Sequence, residues 1–299
     1  PGWYPENDWQ GFVPADELPR AKNPSCGFLV TANQDVNQLG RAKPQNAAMA
    51  DYRADRLSRR LSESGALDVA ACRALQYDTF SLQAQAFIER LRPCLPDTAA
   101  GRLLAGWDYR YEARSDAAEL FEAFYTELIQ VVIGEHVLGP EVTAHLANTT
   151  SLFASFFKNI DPLLLDPPPE LCAHVSRDEL YREAFARAAR RLSEPPPPRD
   201  QLTLKHLFFG GRLPHWTGFD RGPFALPGSR ASPFQTQYFE AAGRAYCLAP
   251  SIRLIADLGE DVLHSNLAGG PSDRRFSRWY GSDLPGWLDG TYKVLRAEL

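Results

Sequence analysis

Asn33 stands at the end of a short apolar run inside "NPSCGFLVTANQDVN", Asn23 to Asn37. Gly27, Phe28, Leu29 and Val30 read as a short strand, and the amides after them as a turn. An asparagine there can bond to nearby backbone and make the turn. It can also aim an amide N–H at something negative. The other chemistry-bearing residues form no motif. Six histidines (His136, His145, His174, His206, His215, His264) lack metal-ligand spacing. Ser229 in "PGSRAS" and Ser282 in "YGSDLPG" lack the flanking glycines of a nucleophile elbow. No glycine-rich phosphate loop and no zinc-helix signature occurs. Trp3 and Trp9 can line a pocket, although aromatic packing is the plainer reading. Arg253 and Asp257, four apart, read as a structural ion pair.

The elements that must position these residues come from a chain of ordinary globular composition, 44% hydrophobic and 23% charged over 299 residues. That length makes one large domain or two of ordinary size, with a core that needs no staple. The net charge of −5, without a basic tract, argues against nucleic acid as a partner. No apolar run approaches the ~20 residues of a membrane span, so no membrane partner is expected. Five scattered cysteines leave at least one thiol free or paired outside the chain, and one or two disulfides are compatible with the count. The opening Pro1-Gly2-Trp3, without a start Met, reads as a processed or trimmed piece.

Residues 1–46 are rich in Pro, Gly, Trp and Asn and read as strand and loop. Residues 47–199 read as helical. "AAMADYRADRLSRRLSESG" has helical spacing from about Ala47 to a stop at Gly65. "LDVAACRALQYD" and "SLQAQAFIERLRP" follow, the second capped by Ser81. "SDAAELFEAFYTELIQVVIG" starts at the cap Ser115 and ends near Gly134, and "SRDELYREAFARAARRLSE" starts with a Ser176–Glu179 capping box. Two proline runs, Asp166–Glu170 and Glu194–Asp200, act as stiff spacers, the second closing the helical region. Residues 200–299 read as strand-rich, with runs at Tyr246–Leu248 and Ile252–Ala256. The class is α+β: strands, a helical insertion, then strands that must pair with the first ones.

Taken in order, several segments resemble the penicillin acylase (penicillin amidase) family of N-terminal-nucleophile hydrolases. They are "GWYPENDWQGFVPADELPRAKNPSCGFLVTAN", "DYRADRLSRRL", "LLAGWDYRYEARSDAAELFEAF", "GPFALPGSRASPF", "APSIRLIADLGE" and "LAGGPSDRRFSRWYGSDLPGWLDGTYKVL". The likeness is weakest around Ile129–Arg199. It implies an αββα sandwich, present in part, with a helical insertion. It also implies cleavage of the acyl group from N-acylated amines such as β-lactams or acyl-homoserine lactones. In the family a precursor cuts itself and exposes a Ser whose α-amino group, of unperturbed pKa ~7.7–8.0, acts as base. Counting along the matched segment puts the family's oxyanion-hole asparagine on Asn33. Its nearby arginine falls on Arg53, with Arg56, three residues on, as the competitor. The bland reading of either arginine is an exposed or salt-bridged helix residue.

The departures are as informative. The nucleophile and the backbone half of the oxyanion hole precede this segment in the family, and Pro1 has no hydroxyl to replace that Ser. The chain therefore reads as the C-terminal part of a β-chain, inactive alone, with the upstream β-chain and an α-chain as partners. No cofactor is expected. Several family members bind calcium through an Asp between the Asn and the Arg, and Leu39–Ala50 contains no acid. "GGPSD" stands where the family has a second glycine pattern, with Pro271 and Asp273 at odds with it. A periplasmic or secreted location is implied. The rival readings are a non-catalytic acylase-like binding or scaffold protein and an unrelated α+β interaction domain.

Overall fold

The computed structural model describes residues 1–43, 46, 48–150, 159–191, 201–241 and 244–296. Nine α-helices and seven strands occur among them. Helices α1 (Tyr52–Glu63), α2 (Val69–Gln76), α3 (Leu82–Leu91), α4 (Ala99–Ala105), α5 (Asp116–Ile129), α6 (Pro140–Thr150), α7 (Asp161–Leu165) and α8 (Arg177–Arg191) come first. Strands β1 (Gln201–Leu204), β2 (Arg221–Ala225), β3 (Gln237–Ala241), β4 (Arg244–Leu248), β5 (Ile252–Asp257) and β6 (Val262–Leu267) follow, then α9 (Leu284–Asp289) and β7 (Lys293–Arg296). The mixture is α+β.

The helices start where side chains can satisfy their first N–H groups. Ser81 accepts from the Ala84 N–H, Ser115 from the Ala118 N–H and Asp68 from the Ala71 N–H. Thr98 does the same for α4, a helix the sequence reading missed. At α8 the capping box closes both ways: the Ser176 N–H donates to Glu179 Oε2 at 3.0 Å and the Glu179 N–H to Ser176 Oγ at 3.3 Å. Two boundaries differ from expectation. Helix α1 begins at Tyr52 rather than near Ala47. Helix α5 does not stop near Gly134; a π-helical stretch, Gln130–Leu138, carries it on to Gly139, whose φ of 85° ends it.

A single aromatic core holds α3, α5 and α8 together. Phe87, Phe121, Phe124 and Tyr181 are fully buried. Phe87 meets Tyr125 edge-on at 5.4 Å and Phe124 meets Tyr181 at 5.5 Å, geometries that favour the aromatic quadrupoles. The strands form three small antiparallel sheets, β1–β2, β3–β4 and β5–β6–β7. They carry a second, small core of Leu202, Leu226, Leu284 and Trp287. No disulfide joins the five cysteines among the described residues. No described helix is long and apolar enough to cross a membrane.

The expected N-terminal strand is absent. Residues 28–32 alternate between part-buried or buried (Phe28, Val30, Ala32) and exposed (Leu29, Thr31), as a strand would, yet no described strand pairs with them. The C-terminal strands pair only with one another, in β1–β2, β3–β4 and β5–β6–β7. Trp3 and Trp9 are likewise exposed, Trp9 by 90%. The proline run Glu194–Asp200 lies outside the described residues.

Candidate functional site

Asn33 sits in a left-handed turn, at φ 65°. Asparagine tolerates that conformation better than other side chains bearing a Cβ. Gln34 builds the turn. Its Oε1 accepts from the Ala32 N–H at 2.6 Å and its Nε2 donates to the Val30 carbonyl at 2.8 Å. The Asn33 carbonyl accepts from the Met49 N–H at 2.8 Å. The turn is thus made by Gln34 and by main chain, so the Asn33 side chain is not needed for it.

That side chain meets Arg53 on the first turn of α1. Arg53 Nη2 donates to Asn33 Oδ1 at 2.6 Å and to the Ala32 carbonyl at 2.8 Å, and Nη1 donates to Gln235 Oε1 at 3.1 Å. Arg53 is 8% exposed, and burial draws its pKa down. Each of these three partners is a neutral oxygen. Because guanidinium only donates, the Asn33 oxygen must face it and the Asn33 amide N–H groups must face the other way. Asn33 itself is exposed rather than enclosed in a cleft. Its N–H groups have no partner among the described residues.

Arg56, one turn along α1, is otherwise engaged. Its Nε lies 2.6 Å from Asp78 Oδ2 and its Cζ 4.4 Å from the centre of the Phe80 ring. Arg110 reaches the same carboxylate at 3.2 Å. The Asp78 carbonyl also accepts from the Phe234 N–H at 2.9 Å, which ties α1 to the loop that carries Gln235.

Other sequence expectations part from the structure. Arg253 and Asp257 form no ion pair: both lie on β5, where a rise of ~3.3 Å per residue sets them about 13 Å apart. Arg253, 4% exposed, instead lies 4.6 Å from the ring centres of Tyr77 and Phe234 and 5.0 Å from Trp287. Asp257 caps the β5–β6 turn by accepting from the Gly259 N–H at 2.9 Å. Ser229 is buried in a loop, 3.3 Å from Ser232 Oγ, and Ser282 bonds to Asp283. Among the described residues Ser229 Oγ bonds only to Ser232 Oγ and the Ala231 N–H, and the carboxylate beside Ser282 is itself paired with Lys293. Gln34 and Gln235 were missed. Gln235 directly follows the family-like segment ending at Phe234, so that segment was the available signal.

Against this geometry stands a comparison with known proteins. The family model described as "Penicillin amidase" matches residues 1–298. The chain belongs to the penicillin amidase family. Among curated relatives, it is 33% identical to "Penicillin acylase 2 proenzyme" of a Pseudomonas species over 204 residues, 64% of this chain and 26% of that protein. It is 29% identical over 329 aligned residues to "Acyl-homoserine lactone acylase QuiP" of Pseudomonas fluorescens, covering 99% of this chain and 40% of that protein. The namesake from Pseudomonas aeruginosa is 26% identical over 341, covering 98% and 40%. The chain thus spans between about a quarter and two fifths of the length of these relatives. No group of three or more His, Cys, Asp or Glu side chains poised to hold a metal occurs among the described residues.

Proposed function

We propose that this chain is the C-terminal part of an acylase that hydrolyses the amide bond of N-acylated amines. The nucleophile would be an N-terminal Ser in the part of the β-chain that precedes Pro1. The observation that carries the reading is the Asn33–Arg53 pair. Arg53 holds the amide oxygen, so Asn33 presents N–H donors on its exposed side. A donor fixed in advance costs no reorganisation when negative charge develops on the substrate oxygen, and loss of such a donor typically costs about 10²–10³ in kcat. The buried cation behind it, bonded only to neutral oxygens, adds a favourable field. Penicillin acylase and acyl-homoserine lactone acylase are the names of relatives, and N-acylated amine is the substrate class common to both.

On this reading the αββα sandwich is completed by upstream residues and by an α-chain from the same precursor, in a periplasmic or secreted protein. Trp3, Trp9 and Phe12, the last 98% exposed, are three large apolar side chains within ten residues that a covering partner would bury. The 299-residue chain alone is expected to be inactive. The test is turnover of a series of N-acyl p-nitroanilides by the full-length protein, by the same protein with Asn33→Ala, and by the isolated chain. Activity in the first alone supports the reading. Turnover by the isolated chain, or full activity of the Asn33 variant, would overturn it, and a folded but inactive parent protein would favour a binding or scaffold role.

A further inference from the structure

We propose that Gln235 is a positioning residue for the acylase reaction, acting through Arg53; this rests on the reading given above. Arg53 Nη2 is anchored to Asn33 Oδ1 and the Ala32 carbonyl, while Nη1 has Gln235 Oε1 as its acceptor. A guanidinium is a planar fork, and acceptors on both prongs fix its plane where acceptors on one leave it free to pivot. The plane of Arg53 sets where the Asn33 oxygen rests, and so where the opposite N–H groups point.

The loop presenting Gln235 is built to hold that distance. Ser229 and Gln235 form a bridge, and the Thr236 N–H donates to the Ser229 carbonyl at 3.2 Å. Ser232 Oγ donates to the Phe234 carbonyl at 2.9 Å. Gly228, at φ 91°, passes so close to the Phe234 carbonyl that a Cβ there would collide with it. Arg230 runs from the loop into the helical block. Its Nη1 lies 3.3 Å from Glu122 Oε2 and its Cζ 4.2 Å from the centre of the Tyr125 ring. Asp78 clamps both sides, its carboxylate taking Arg56 from α1 and its carbonyl taking the Phe234 N–H. Helix α1 and the loop are therefore referenced to one residue, and Arg53 and Gln235 meet across that reference.

Gln235→Leu removes the acceptor at nearly constant size. In the full-length protein, assayed on the N-acyl p-nitroanilide it turns over fastest, the variant should lose about tenfold in kcat with KM within about twofold. The melting temperature should fall by no more than a few degrees, and Gln235→Ala serves if the leucine variant does not fold. Because Gln235 acts through Arg53, the double variant with Arg53→Lys should be no slower than Arg53→Lys alone. Unchanged kcat in Gln235→Leu, while Asn33→Ala collapses, would remove Gln235 and leave the acylase reading standing. Multiplying effects in the double variant would also remove it. Unchanged kcat in Asn33→Ala, or no turnover by the parent protein, would sink the acylase reading and this role with it.

Discussion

The helical block and the N-terminal arm are made of similar apolar residues and use them in opposite ways. Between Leu82 and Ala188 most of the described aromatic side chains turn inward and several reach full burial. Along residues 1–31 no residue is buried, and the first to be so is Ala32, beside Asn33. The arm is not shapeless, since Arg41 pairs with Asp16 and the Arg41 N–H donates to the Glu17 carbonyl at 2.8 Å. It is ordered by polar contacts while its tryptophans face outward. The helical block completes its own core. The arm holds a shape whose apolar side is directed elsewhere, and the candidate site lies where the two meet.

The sharpest break in that comparison is a cavity in the block. Phe121→Ala removes a fully buried ring that contacts Phe87, Trp107 and Phe124. It should lower unfolding free energy by about 3–5 kcal/mol, read from the urea midpoint. At the junction the readouts should separate. Asn33→Ala should cut kcat of the full-length protein by about 10²–10³, while stability falls by no more than the roughly 1–2 kcal/mol that alanine costs in a left-handed turn, because the rest of the turn is held by Gln34 and main chain. A large loss of stability there would make Asn33 a structural residue instead.

Smaller effects test the block's edge. Ser176→Ala should cost about 1 kcal/mol at neutral pH through loss of the α8 cap. The Ser176 hydroxyl and backbone N–H hold the Glu179 carboxyl below its usual pKa. The folded-state value being the lower one, that contribution is present above the unfolded-state value and fades as pH falls through the folded one. The gap between wild type and variant in acid urea titrations should therefore narrow. Smallest of all, Trp9→Ala should leave the stability of the isolated chain within about 0.5 kcal/mol. In the full-length protein a larger loss is expected, and equal small losses in both would contradict a covering partner.

What the sequence revealed and what it hid follow one division. Ser81, Ser115 and Ser176 announced their helices because a cap and its helix are neighbours in the chain. The contact of Asn33 with Arg53, 20 residues on, was legible from the spacing of a family segment because a local turn and helix join the two. Gln235 was hidden because it is 182 residues from Arg53, and no periodicity encodes such a meeting. The Gly27–Val30 run was misread because alternation describes a strand's side chains, while pairing depends on what lies beside it. Arg253 was misread for a simpler reason: a spacing of four brings residues together on a helix and separates them on a strand.

The turn at Asn33 narrows what this position can accept. Three demands fall on one residue: a left-handed backbone, an oxygen for Arg53 and an N–H on the far side. Glycine meets the first. Aspartate meets the first two, but brings a charge against the guanidinium and no donor. Glutamine meets the last two, with an extra carbon and a poorer fit to φ 65°. Only asparagine among the twenty side chains satisfies all three, so an exhaustive substitution library at codon 33, sorted for turnover and separately for folding, should return two different alphabets. Folding should be least disturbed by glycine and aspartate, and turnover should admit asparagine alone.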